Sequence, residues 1–252
     1  FNAGHDPRNL FLVGVLPALL TLWIRKAVPE TEEWEEARKG TVVPGVSELF
    51  SPAVRGVTWR VLIICAVSLT AHWSFMFWQA SHVKSLPEIS VLTKEGKDNA
   101  LVVALMWMMI GSVIGNYVSG ALAKWLGYRK AIVLVLLAYA VMMTVTFSRE
   151  WSWESTKLLF AIIGICQGVF GLFTMCLPPL FPVLLRTTGA GFCYNIGRIV
   201  AAAGTVVFGI FSKVGDVRLA LLYSGFLFVP AALTALMLPD EETSPVAEEP
   251  MT

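Results

Sequence analysis

The chain has 252 residues, of which 56% are hydrophobic and 15% charged, with a formal net charge of +1 and a mean hydropathy of +0.68. The apolar share exceeds that of ordinary water-soluble domains, and a nearly neutral chain without a polybasic run excludes an electrostatic nucleic-acid partner. Four cysteines and three histidines lack the spacing of a zinc site, so neither a metal nor a cofactor is expected.

A membrane-crossing helix needs about 20 mainly apolar residues. Seven stretches qualify, roughly 9–27, 58–80, 99–123, 130–147, 156–178, 188–211 and 218–238. The fold class is therefore an all-α polytopic membrane protein with seven transmembrane helices, embedded in a lipid bilayer. The chain opens FNAGHDPR, with neither an initiator methionine nor a charged leader, and is expected to be a fragment whose amino-terminal part is missing. Residues 28–57, which include the charged run PETEEWEEARKG, read as a surface helix plus a loop. The tail 239–252, PDEETSPVAEEPMT, reads as acidic and disordered.

Seven spans place the two ends on opposite sides. One set of loops holds ten lysines and arginines, clustered at Arg25–Lys26 and Arg129–Lys130, against eight in the other set. The positive-inside rule makes the first set, and with it the carboxyl terminus, cytoplasmic in an inner or plasma membrane.

Helical spacing assigns polar residues to faces. The second span carries Cys65, Ser68, His72, Phe75 and Gln79 on one stripe, flanked by Trp73 and Trp78. The third offers Ser112, Asn116 and Ser119, and the fifth Gln167, Gly171 and Thr174. In the sixth, Gly191, Asn195, Arg198, Ala202, Thr205 and Gly209 share a stripe, beside an apolar face of Phe192, Ile196, Ile199, Val206 and Ile210 that suits lipid. The fourth and seventh spans are nearly featureless and are expected at the periphery. Gly111 with Gly115, and Gly164 with Gly168, have the spacing for close helix packing. The cysteines, all inside spans, read as small apolar packers.

Arg198 is the costly residue. No other charge lies between Arg186 and Lys213, and an arginine at mid-membrane costs at least ~2.5–3.5 kcal/mol unless it meets water or a partner. It is expected to point inward, toward a polar cavity lined by four helices. The alternatives are a structural pair with a carboxylate outside this chain for Arg198, a plain interhelical hydrogen bond for His72, Asn116 and Gln167, and an interfacial belt for Trp73 and Trp78.

Four segments in order carry a family resemblance: VPETEEW (Val28–Trp34), GALAKWLGYRK (Gly120–Lys130), LFPVLLRTTGAGFCYNIGR (Leu180–Arg198) and LPDEET from Leu238. Together they resemble the major facilitator superfamily, most closely its branch of organic-acid and sugar proton symporters. The resemblance implies helices six to twelve of a twelve-helix carrier. Residues 1–27 would then be the last helix of the amino-terminal half, 28–57 the cytoplasmic loop between halves, and 58–238 the carboxyl-terminal six-helix half. It also implies a substrate site near the midplane between two rocking halves, and a gating loop comprising Gly120, Lys124, Gly127, Arg129 and Lys130. Lys124 stands where that loop normally carries an acid, and Pro179 where an acid is common, so both charge contacts are lost.

The expected function is secondary active transport of a small organic anion by alternating access, as proton-coupled symport, with the missing half supplying any coupling carboxylate. Arg198, Asn195, Gln167, Asn116, His72 and Gln79 form the candidate substrate site. An arginine offers a carboxylate a fixed bidentate fork, and His72 is the titratable candidate near neutral pH. The alternative is a sugar porter in which Gln79, Gln167 and Asn116 bind hydroxyls. A seven-helix receptor is remote, since the seventh span has no lysine for a retinal Schiff base. No enzymatic activity is expected.

Overall fold

The computed structural model describes residues 14–39, 42–214 and 216–239. The chain divides into two compact units, Phe1–Val43 and Pro44–Thr252. In the first, α1 (Val15–Ala27) ends on Arg25 and Lys26, cations that complement the negative end of the helix dipole. α2 (Glu32–Arg38) begins with Glu32, Glu33 and Glu35 and ends on Arg38, whose guanidinium lies 5.0 Å from the Trp34 ring. The helix within the expected first span 9–27 is 13 residues long, and 9–13 lie outside the described residues, as do 240–252 of the tail.

The described residues of the second unit form helices joined by short connections. Six helices are long and apolar enough to cross a membrane, one fewer among the described residues than the seven spans expected. They are α3 (Arg55–Ser85), α4 (Lys94–Leu126), α5 (Tyr128–Ser148), α6 (Trp153–Cys176), α7 (Arg186–Val214) and α8 (Val217–Ala235). Each expected span from 58–80 onward lies on one of them, overrunning its end by less than a turn where it overruns at all.

Local chemistry sets the ends. Thr93, Ser152 and Asp216 cap α4, α6 and α8 by accepting backbone N–H groups of Gly96, Ser155 and Arg218, which satisfies donors that a helix start leaves unpaired. Gly127 alone joins α4 to α5, at φ +81°, a conformation that a side chain disfavours. α6 breaks at Gln167–Gly168, between segments Trp153–Cys166 and Val169–Cys176. α8 breaks at Leu227, between Val217–Phe226 and Phe228–Ala235, where Pro230 has no N–H to bond back to Phe226.

Packing divides the unit into pairs. α3 lies along α7, α4 along α6, and α8 packs on both α3 and α5, while α5 also touches α4 and α6. The α4–α6 contact is the closest. A Cβ at Gly111 or Gly115 would overlap the backbone carbonyl of Ala161 or Ile165, and one at Gly164 or Gly168 that of Met108 or Gly115. Small residues let backbones meet where lipid supplies no hydrophobic drive, so the four glycines act in packing as their spacing suggests. The cysteines are all free and buried, again as packers; Cys65, for example, lies against Gly197 of α7.

The fourth span, expected at the periphery, is packed on one side and open on the other, where Leu134, Leu137, Val141 and Val145 form an exposed stripe. The apolar window of α5 is 56% buried, against 22% for α4 and 28% for α7. Tyr139, Met143 and Phe147 of α5 are fully buried, and Tyr139 stacks on Phe228 of α8 with ring centroids 4.0 Å apart. An apolar span can thus pack one face into the core and keep another for lipid.

Candidate functional site

Four helices, α3, α4, α6 and α7, converge on a pocket of about 220 Å³. Its polar lining comes from His72, Ser112, Asn116, Gln167 and Tyr194, with Trp73 and Phe170 among the apolar walls. These are the four spans whose polar stripes were expected to line a cavity. The break in α6 places Gln167 at the end of a helical segment rather than mid-helix, with its amide Nε2 3.8 Å from the Met76 sulfur. Asn116 donates to the Ser112 carbonyl one turn back at 2.8 Å, which holds its amide at the pocket wall. His72 packs against Phe170, centroids 4.5 Å apart, and its Nδ1 lies 3.1 Å from the Tyr139 hydroxyl.

Trp73 also lines a second, larger hollow of about 550 Å³ between α3 and α7, together with Phe77, Trp78, Arg198, Thr205 and Gly209. Trp78 donates its indole N–H to the Thr205 carbonyl at 3.1 Å, and Gly209 leaves the space its ring occupies. Arg198 therefore stands in an aromatic groove adjoining the pocket rather than within the pocket itself. Its guanidinium makes no hydrogen bond or ion pair among the described residues.

Arg198 faces this groove with Ala202, Thr205 and Gly209 of its stripe, and not the four-helix pocket toward which it was expected to point. Arg198, Asn195 and Ala202 are exposed, whereas Gly189, Cys193, Gly197, Ala201 and Gly209 form the buried stripe of α7. The reason is steric: a Cβ at Gly197 would press on the backbone of Cys65, and one at Gly204 on Thr70. Only small residues fit where α7 meets α3, so the stripe bearing the charge is turned away from that contact. Asn195 shares the open face and bonds to the Gly191 carbonyl at 2.8 Å.

Gln79 lines neither hollow. It is 2% exposed and sits on the α3 face between Phe75 and His82, both of which touch Phe147. Its Oε1 has no hydrogen-bond partner among the described residues. The loop residues lie elsewhere: Gly127 is eleven residues, or about 16 Å of helix, beyond Asn116. Lys124 lies in the last turn of α4, Gly120 has open space around it, Lys130 lies in the first turn of α5, and Arg129 donates to the Leu238 carbonyl at 3.2 Å. Arg129 thereby ties the α4–α5 turn to the end of α8, where the carbonyls left unpaired attract a cation.

Sequence reasoning missed Tyr139 and Tyr194. Tyr139 lies in a span that reads as uniformly apolar, and its phenol meets His72 from the buried side of α5. No group of three or more His, Cys, Asp or Glu that could hold a metal occurs among the described residues.

Six long apolar helices with a polar pocket between four of them define a multi-pass α-helical membrane protein. No protein-family model matches the chain. It is 28% identical over 210 residues to the sialic acid transporter NanX of Escherichia coli, covering 82% of this chain and 49% of the relative. It is 22% identical over 251 residues to the cis,cis-muconate transport protein of Acinetobacter baylyi, covering 96% of this chain and 59% of the relative. A shorter match, 31% over 140 residues, links it to the facilitated glucose transporter member 1 of Gallus gallus, covering 54% of this chain and 28% of the relative. The chain is a homologue of transporters of the major facilitator superfamily, and these relatives are transporters rather than enzymes. It spans about half the length of the first two relatives.

Proposed function

We propose that the chain forms the carboxyl-terminal half of a proton-coupled symporter for a small organic anion, working by alternating access. The observation that carries this reading is the guanidinium of Arg198, unpaired in a groove that Trp73 joins to a pocket of neutral hydrogen-bonding groups. Among the described residues neither lining contains a carboxylate, so the positive charge is available to an anionic ligand. His72, Asn116 and Gln167 would hold the rest of that ligand from the pocket side, with Asn195 beside Arg198 on the open face. Gln79, buried away from both hollows, would serve the site only through a rotation of α3. Two relatives point the same way, since sialic acid and muconate are organic acids.

The open face bearing Arg198, and relatives about twice as long, support a further helical half closing over the groove and supplying the carboxylate for proton coupling. In this reading the α4–α5 turn with Gly120, Lys124, Gly127, Arg129 and Lys130 lies on the cytoplasmic side, as does the carboxyl terminus. Arg198→Ala should lower uptake of cis,cis-muconate by at least about tenfold, the scale of a lost charge-assisted hydrogen bond, with membrane abundance unchanged. Arg198→Lys should recover only part, because an ammonium lacks the bidentate fork. Uptake that is indifferent to Arg198→Ala would rule out the anion-binding role.

The match to a glucose transporter favours one second reading, a sugar porter in which Asn116 and Gln167 bind hydroxyls and Arg198 is structural. Competition separates the two: carboxylates, and not neutral sugars, should inhibit uptake.

A further inference from the structure

His72 lines the pocket with one ring nitrogen already engaged, and the group that engages it comes from outside the four lining helices. Tyr139, on α5, is completely buried. Its hydroxyl meets His72 Nδ1 at 3.1 Å, and its ring is clamped by the stack on Phe228. The Gln167 amide nitrogen faces the Met76 sulfur, at 3.8 Å. His72 Nδ1 is the hydrogen-bond partner of the phenol among the described residues, and a buried O–H left without an acceptor is costly, so the phenol is placed to donate to His72.

A neutral imidazole has one donor and one acceptor nitrogen, and the bond made by one decides what the other presents. If Nδ1 accepts from Tyr139, the ring proton sits on Nε2, the nitrogen left for the pocket. We infer that Tyr139 is a positioning residue for the anion site: it holds His72 in one orientation and in the Nε2–H tautomer, so that the imidazole offers a donor to the ligand. The inference rests on the organic-anion reading above and deepens it, because a fixed N–H donor suits a carboxylate oxygen.

Two measurements test this. In protein labelled with [15N]histidine, His72 signals can be assigned by their absence in His72→Gln. At about pH 8, above the ordinary histidine range, wild-type His72 should show an unprotonated Nδ1 with the shift of a hydrogen-bond acceptor. Tyr139→Phe, which keeps the ring stack, should move that nitrogen to the free-acceptor position. A proton on Nδ1 in the wild type, or a signal that Tyr139→Phe leaves in place, overturns the inference without using transport. In uptake of cis,cis-muconate, Tyr139→Phe should raise KM roughly fivefold, the scale of one hydrogen bond, and should have no further effect in a His72→Gln background. Additive losses would make Tyr139 merely structural. If His72→Gln leaves uptake unchanged, the anion-site role of His72 fails and the role of Tyr139 with it. If the wild type carries no muconate, the organic-anion reading loses that substrate and the nitrogen signal alone decides Tyr139.

Discussion

At the level of single residues, two glycines of one motif, Gly120 and Gly127, face opposite demands. Both have open space where a Cβ would go, but only Gly127 has a positive φ. Gly127→Ala therefore isolates backbone strain and should destabilise by about 1–2 kcal/mol, read as a lower thermal midpoint in detergent. Gly120→Ala sits in ordinary helix and should be neutral or stabilising by up to about 1 kcal/mol. The sequence alone does not separate them, because a motif records residue types and not φ. Arg198 shows the same division. Its isolation among uncharged residues is legible in the sequence, whereas the groove that receives it depends on Trp73 and Trp78 from a helix distant along the chain.

Among the helices, α4 and α6 are joined through four glycines whose backbones touch those of the facing helix. Gly115→Ala and Gly164→Ala must push the helices apart, and should each cost about 1–3 kcal/mol, the range for overpacking a tight contact. Gly191→Ala, on α7 with nothing within reach of the added methyl, is the control and should leave the melting curve in place. The four-residue spacing of these glycines makes their packing role readable from the sequence. The buried stripe of α7 is less so. Its small residues Cys193, Gly197 and Ala201 and its open-face residues Asn195, Arg198 and Ala202 have the same helical period, so periodicity does not say which stripe meets α3.

For the molecule as a whole, the native cysteines are buried while the groove between α3 and α7 is open at Ala202. Ala202→Cys should therefore react with a water-soluble maleimide much faster than the native thiols, and cis,cis-muconate should slow the reaction. Labelling no faster than in the parent protein would mean that the groove is shut to water, and it would remove the aqueous setting that Arg198 requires.

Membrane class, the positions of the six spans from 58–80 onward, and the four that bear polar stripes are all written in the order of residues. Twenty apolar residues in a row have few fates other than a membrane, and the 3.6-residue period shows which residues share a face. The rotation of each helix and the identity of its neighbours are not written there and come from assembly. That is why Tyr139 reaches His72, and why Gln79 sits in the core rather than the pocket. Rotation follows from where backbones can approach most closely, a property of two surfaces together that no single helix encodes.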